Sequence, residues 1–215
     1  MSSPVAIRID EIRRRDGVEI DILLRVGRCA TMQVSKSEAA RRQLEAAIRM
    51  YFDEEDPVAL HTVIAAPFTI VRNLCEQRGD IASFQRFSDW IVPGAEGKFW
   101  SAVNSQANFL KHADRDASAT LDFNEEVTEL LILMTAKWFL DLGNASSAET
   151  KAFGLWYSLM YPKVLKEEAL QAFRDVGAAD FYQKLASAFA RLDALDRVRA
   201  GKEMLRQIRQ HEREG

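Results

Sequence analysis

From Ser37 onward the apolar residues of this chain are spaced for helices, and capping and breaking residues cut that spacing into separate pieces. Leu44, Ala47, Ile48, Tyr51 and Phe52 recur three and four residues apart, so they share one face of a helix that Ser37 is placed to cap. Asp56-Pro57 opens a second helix, because Asp accepts from free amides and Pro in the first turn loses no hydrogen bond. It runs to about Arg78, is bent at Pro67 and stops at Gly79. A short helix is expected over 84–90, then the breaker Pro93-Gly94, then a helix from about Ala95 to Ala113. Asn124 caps the next helix, with Glu125 and Glu126 at its positive end and Gly143 as its stop. Ser147 with Thr150 opens a helix that must end by Tyr161-Pro162, and a shorter one follows over 167–175. The last runs from Asp180, places Leu185 with Leu192 and Ala188 with Leu195 at seven-residue spacing, and turns basic from Arg197.

The expected fold is therefore all-α, a single-domain bundle of six to eight helices with the 95–113 helix near its centre. With 215 residues, 47% of them hydrophobic and 28% charged, the chain can bury a substantial core. Residues 1–31 lack a sustained helical period and read as an N-terminal extension, a loose hairpin or disordered. The bundle domain then covers 32–196, with Met32 where an alternative start would fall, and 197–215 is a basic helix end. Only Cys29 and Cys75 occur, too few for a disulfide framework, so the expected compartment is the cytoplasm. The most apolar run, Leu130 to Met134, is far shorter than the roughly 20 residues that span a bilayer, and no membrane partner is expected. A net charge of -3 draws the chain as a whole toward no particular partner.

One segment has the residue types of a reactive or binding site: Asn108 to Asp116, NFLKHADRD. On a continuous helix Phe99, Val103, Ala107 and Leu110 fall on one side, and Asn104, Asn108, Lys111, His112 and Arg115 on the other. Lys and Arg would supply charge to such a stripe, Asn a neutral donor, and His a group that moves protons near neutral pH. A solvated helix face has the same pattern.

The chain from about Met32 to Trp156 resembles a group of short uncharacterised bacterial helical proteins, through SKSEAARRQLEAAI, ALHTVIAA and NFLKHADRD. The last stretch is also similar to the motif of HEPN domains, helical bundles in which Arg, a polar residue, three further residues and His occupy one helix. Asn108 and His112 match that spacing, while Ala107 stands where the motif has Arg. The HEPN resemblance implies RNA as partner, a homodimer, no cofactor, and metal-independent RNA cleavage with His112 and Asn108 as the catalytic pair. With Ala107 in place, the cation would have to come from Lys111 or Arg115, and Asn104 would join the substrate contacts.

Other groupings read as structural. His61, His112, Asp114 and Asp116 are metal-ligand types without a metal-ligand spacing, and His61 is expected to be a hydrogen-bonded core residue. Glu125, Glu126 and Glu129 sit where acids favour a helix start, and Phe123 is placed as a hydrophobic staple. Trp90, Trp100, Trp138 and Trp156 fill the core. Arg197, Arg199, Lys202, Arg206, Arg209 and Arg213 could follow a nucleic-acid backbone, but Glu203, Glu212 and Glu214 dilute them, which favours a solvated or dimer-supporting helix.

Two functions follow: a HEPN-like protein that binds or processes RNA, or a non-enzymatic interaction module in which NFLKHADRD is structural. In the second, Asn108 and His112 should bond to the backbone of the 114–124 loop; in the first, His112 should face a cleft with Arg115 or Lys111.

Overall fold

The computed structural model describes residues 32–79, 96–112, 118–161 and 179–214. The chain divides into two units, Met1–Val34 and Ser35–Gly215. In the second unit the described residues form seven helices: α1 Lys36–Phe52, α2 Pro57–Gln77, α3 Glu96–Phe109, α4 Glu125–Asp141, α5 Ala148–Met160, α6 Ala179–Phe189 and α7 Ala194–Glu214. No strand occurs among them, so the protein is an all-α bundle. The helices expected over 84–90 and 167–175 lie outside the described residues.

Each start has a local chemical cause. Asp56 accepts the Ala59 amide at 2.8 Å ahead of Pro57, and Asn124 accepts the Glu126 amide at 2.9 Å. Ser147 and Thr150 form a reciprocal capping box, in which the Thr150 hydroxyl accepts the Ser147 amide at 2.9 Å. The stops at Gly79 and Gly143 have φ of +65° and +84°, the left-handed backbone that glycine takes without a Cβ penalty. α1, however, is capped by Ser35, which accepts the Glu38 amide at 3.1 Å. The expected cap, Ser37, instead donates to Asn144 Oδ1 at 3.0 Å, tying α1 to the loop between α4 and α5.

α1 is the hub of the bundle. It packs on α2, α4, α5 and α7, and it buries Ala40, Leu44, Ala47, Ile48 and Phe52. α3, expected near the centre, lies at the side, with α2 and α4 as its main neighbours. α2 is apolar and long enough to cross a membrane, a longer apolar stretch than Leu130 to Met134; in the bundle it buries Leu60, His61, Ile64, Ala65, Pro67, Phe68, Val71 and Cys75. Of the tryptophans, Trp138 stacks on Phe68 with centroids 5.6 Å apart, and Trp156 meets Tyr51 edge-on at 5.0 Å. Trp100 is half-buried and Trp90 lies outside the described residues.

The final helix is not continuous. Turn bonds from Arg191 and Leu192 to the carbonyls of Ala188 and Phe189 close α6, and Asp193 then caps α7 by accepting the Asp196 amide at 2.8 Å. The seven-residue spacing across this break is therefore no coiled-coil seam: Leu185 and Leu192 pack on the core, whereas Ala188 and Leu195 are exposed. α7 then crosses α5 and α1 closely at Gly201, where an added Cβ would meet the rings of Trp156 and Phe52. The Trp156 indole N–H donates to the Arg197 carbonyl at 2.9 Å and holds α7 one turn before the crossing.

Candidate functional site

The NFLKHADRD segment begins on α3 and leaves it. α3 ends at Phe109, four residues before the expected end, because the Leu110 amide makes the last bond to the Gln106 carbonyl and the Lys111 amide turns back to Asn108 at 3.1 Å. Asn108 is therefore in the last helical turn while His112 lies beyond it, so they do not share a helix face as the expected stripe requires. Asn104, Asn108 and Lys111 are exposed and His112 is half-buried. Arg115, Asp114 and Asp116 lie outside the described residues.

The side chain that ties this connection to the bundle is Gln106, which precedes the NFLKHADRD segment. It is 3% exposed; its Oε1 accepts the Asn124 amide at 2.9 Å, and its Nε2 donates to the Asn124 carbonyl at 3.3 Å. One amide thus satisfies both backbone groups of the residue that caps α4. Its Nε2 also lies 3.4 Å from Nδ1 of His61, which is 2.9 Å from the Thr128 hydroxyl. Phe123 packs edge-on against the His61 ring at 5.5 Å. His61 is fully buried, and its Nε2 has no hydrogen-bond partner among the described residues. Burial, with the Lys111 charge nearby, pushes its pKa from 6.5 down to about 4, so the ring is neutral at pH 7. A polar residue at position 106, one helical turn from Val103 on the apolar face of α3, was the signal available in the sequence.

Replacing Gln106 with alanine should therefore cost about 1 to 2 kcal/mol in urea denaturation, since the Asn124 amide loses its acceptor. Asn108→Ala, on the exposed face, should stay within about 0.5 kcal/mol of the parent.

Glu129 is a second cluster not foreseen in the sequence. Its Oε1 accepts the Tyr51 hydroxyl at 2.7 Å and its Oε2 the Tyr161 hydroxyl at 2.8 Å, joining α4 to α1 and the end of α5. Burial raises its carboxyl above the ordinary carboxylate range, although the two hydroxyls pull it down. Unlike Glu125 and Glu126, it is a core tie and not a helix-start acid.

The third arrangement is a groove of about 780 Å³ between the end of α1 and α7. Arg199, Lys202, Arg206, Arg209 and Arg213 line it from α7 and Arg49 from α1. Arg197 does not join them: its guanidinium lies over the Phe189 ring at 5.9 Å and donates to the Ala190 carbonyl at 3.2 Å. Beside the groove, a single oxygen of Glu149 accepts from Arg49 at 2.7 Å and from Arg209 at 2.5 Å. Burial pushes the Glu149 carboxyl up, but the bonds from Arg209, its own backbone and Arg49 bring it below the ordinary value. Lys202 pairs with Asp53 at 2.8 Å and Arg206 with Glu203 at 2.6 Å.

Compared with known proteins, the chain matches no family model, no curated protein and no solved structure.

Proposed function

We propose that this protein is a non-enzymatic helical binding module of the cytoplasm, in which the NFLKHADRD segment closes the connection between α3 and α4. The observation that supports this reading is the end of α3 at Phe109. Acid-base cleavage needs a proton-transfer group and a cation held together at the reacting phosphate. Here His112 is off the helix that holds Asn108, position 107 is alanine, and Lys111 is an exposed turn residue. Gln106, not Asn108, holds the connection through Asn124.

The rival reading, RNA cleavage by His112 with Asn108 and a cation from Lys111 or Arg115, makes the opposite forecast. Purified protein incubated with labelled structured and single-stranded RNA in the absence of metal should leave both at the buffer rate, and His112→Ala should change nothing. Cleavage that disappears in His112→Ala, with an unchanged melting temperature, would reject the binding-module reading in favour of a ribonuclease.

A further inference from the structure

We propose that the groove between α1 and α7 binds the phosphodiester backbone of a single-stranded nucleic acid. This names a partner for the binding module proposed above and rests on that reading only in supposing that the strand is held and not cut.

Arg199, Lys202, Arg206, Arg209 and Arg213 follow one another at steps of three, four, three and four residues, so they form one stripe along α7. At a rise of about 1.5 Å per residue the stripe is about 21 Å long. Such a row fits a polymer with a charge every few ångströms, as a nucleic-acid strand has. Among the groove's lining residues six are cationic and three, Asp53, Glu203 and Glu214, are acidic, in a chain of net charge -3. Glu149, Glu54 and Asp196 pair with these cations from outside the lining, so what sets this face apart is the ordered row of exposed cations and not a net charge.

The ion pairs along the stripe do not close it. Lys202 is 60% exposed and Arg206 64% exposed, and pairs this open to solvent are weak, so a phosphate can take the place of the carboxylate. Beside the groove the single carboxylate of Glu149 faces two guanidiniums, which leaves one positive charge of the three groups uncompensated. Arg213 has no ion-pair partner among the described residues. An acidic protein segment fits less well, because protein interfaces are anchored by apolar side chains entering pockets, and the apolar floor residues Phe52 and Leu205 are only 1% and 5% exposed.

The test is fluorescence anisotropy of labelled mixed-sequence RNA and DNA 20-mers with the full chain, titrated at rising KCl. Binding should weaken with salt at a logarithmic slope of about -3 to -4, as expected for roughly five phosphates on a single strand. The double variant Arg206→Ala/Arg213→Ala, whose side chains lie outside the core, should bind roughly tenfold more weakly with a shallower slope and an unchanged melting temperature. Equal binding of RNA and DNA would indicate backbone contact alone, and a preference for RNA a contact to the 2′-hydroxyl as well; both support the groove. No binding at low salt, or binding unaffected by the double variant, would overturn the proposal. Polyglutamate binding as tightly as the oligonucleotides would overturn it too and point to an acidic protein partner. None of these results alters the cleavage assay, so the two proposals fail separately.

Discussion

Replacing Gly201 with alanine lowers the unfolding free energy by about 2 kcal/mol or more, although alanine is the better helix former by about 1 kcal/mol. The sign is set by the crossing of α7 over α1 and α5. A Cβ at this position would lie 2.7 Å from Trp156 Cδ1 and 2.8 Å from Phe52 Cδ1, inside the closest approach that carbon atoms tolerate. Neither ring can easily withdraw. Phe52 and Trp156 are 1% and 0% exposed, they meet each other edge-on at 6.1 Å, and the indole is held by its bond to the Arg197 carbonyl. The methyl group must therefore push α7 away from the bundle, which also loosens the Arg209–Glu149 pair. Gly154 on α5 is the control: nothing lies within 4 Å of its added Cβ. Gly154→Ala should stabilise by about 0.5 to 1 kcal/mol. Urea denaturation of both variants checks the pair, and a stabilising Gly201→Ala would mean that the helices do not cross as described.

Acid should weaken the fold through His61. The unfolded ring takes up a proton as pH falls through 6.5, whereas the buried ring resists until about 4. The stabilising contribution is therefore fully present above pH 6.5 and lost progressively toward pH 4, by about 3 kcal/mol in total. Glu129 acts in the opposite sense: its raised carboxyl favours the folded state fully below the ordinary carboxylate value, and that contribution is lost as pH rises from there through the raised one. Glu149, lowered by its two arginines, adds acid sensitivity below its ordinary value of 4.5. Comparison with His61→Gln, which keeps a polar partner for Thr128 but does not titrate in this range, isolates the histidine. Stability measured between pH 4.5 and 6.5 should depend less on pH in the variant, by at most about 1.4 kcal/mol per pH unit in the middle of that range. An identical pH dependence in parent and variant would contradict the burial of a neutral His61.

The helix starts were legible wherever the cause is local. Asp56-Pro57, Asn124 and the Ser147/Thr150 box each place an acceptor within three residues of the amide it serves, and each caps the helix expected of it. Local information failed where a distant partner decides. Ser35 and Ser37 are equivalent caps in the sequence, and only the bond from Ser37 to Asn144, 107 residues away, separates them. The break between α6 and α7 carries no Gly or Pro, and Asp193 reads as an ordinary surface acid until it caps Asp196. The candidate site was half legible. The composition of NFLKHADRD marks the connection, but what holds it is Gln106, one polar residue on an apolar face whose partner at Asn124 is 18 residues on. Glu129 reads as a helix-start acid because its partners, Tyr51 and Tyr161, come from elsewhere in the chain. In the basic stripe the row could be read at alternating steps of three and four residues, but its facing partner Arg49 and the shared Glu149 could not, and Arg197 falls outside it.

The most direct test of the binding-module reading is the single-turnover rate at which the purified protein cleaves labelled RNA without metal, measured beside His112→Ala under conditions where both are fully folded. The expected result is one rate, that of the buffer, for both proteins. A faster rate in the parent that falls to the buffer rate in the variant would contradict it and make His112 a catalytic residue.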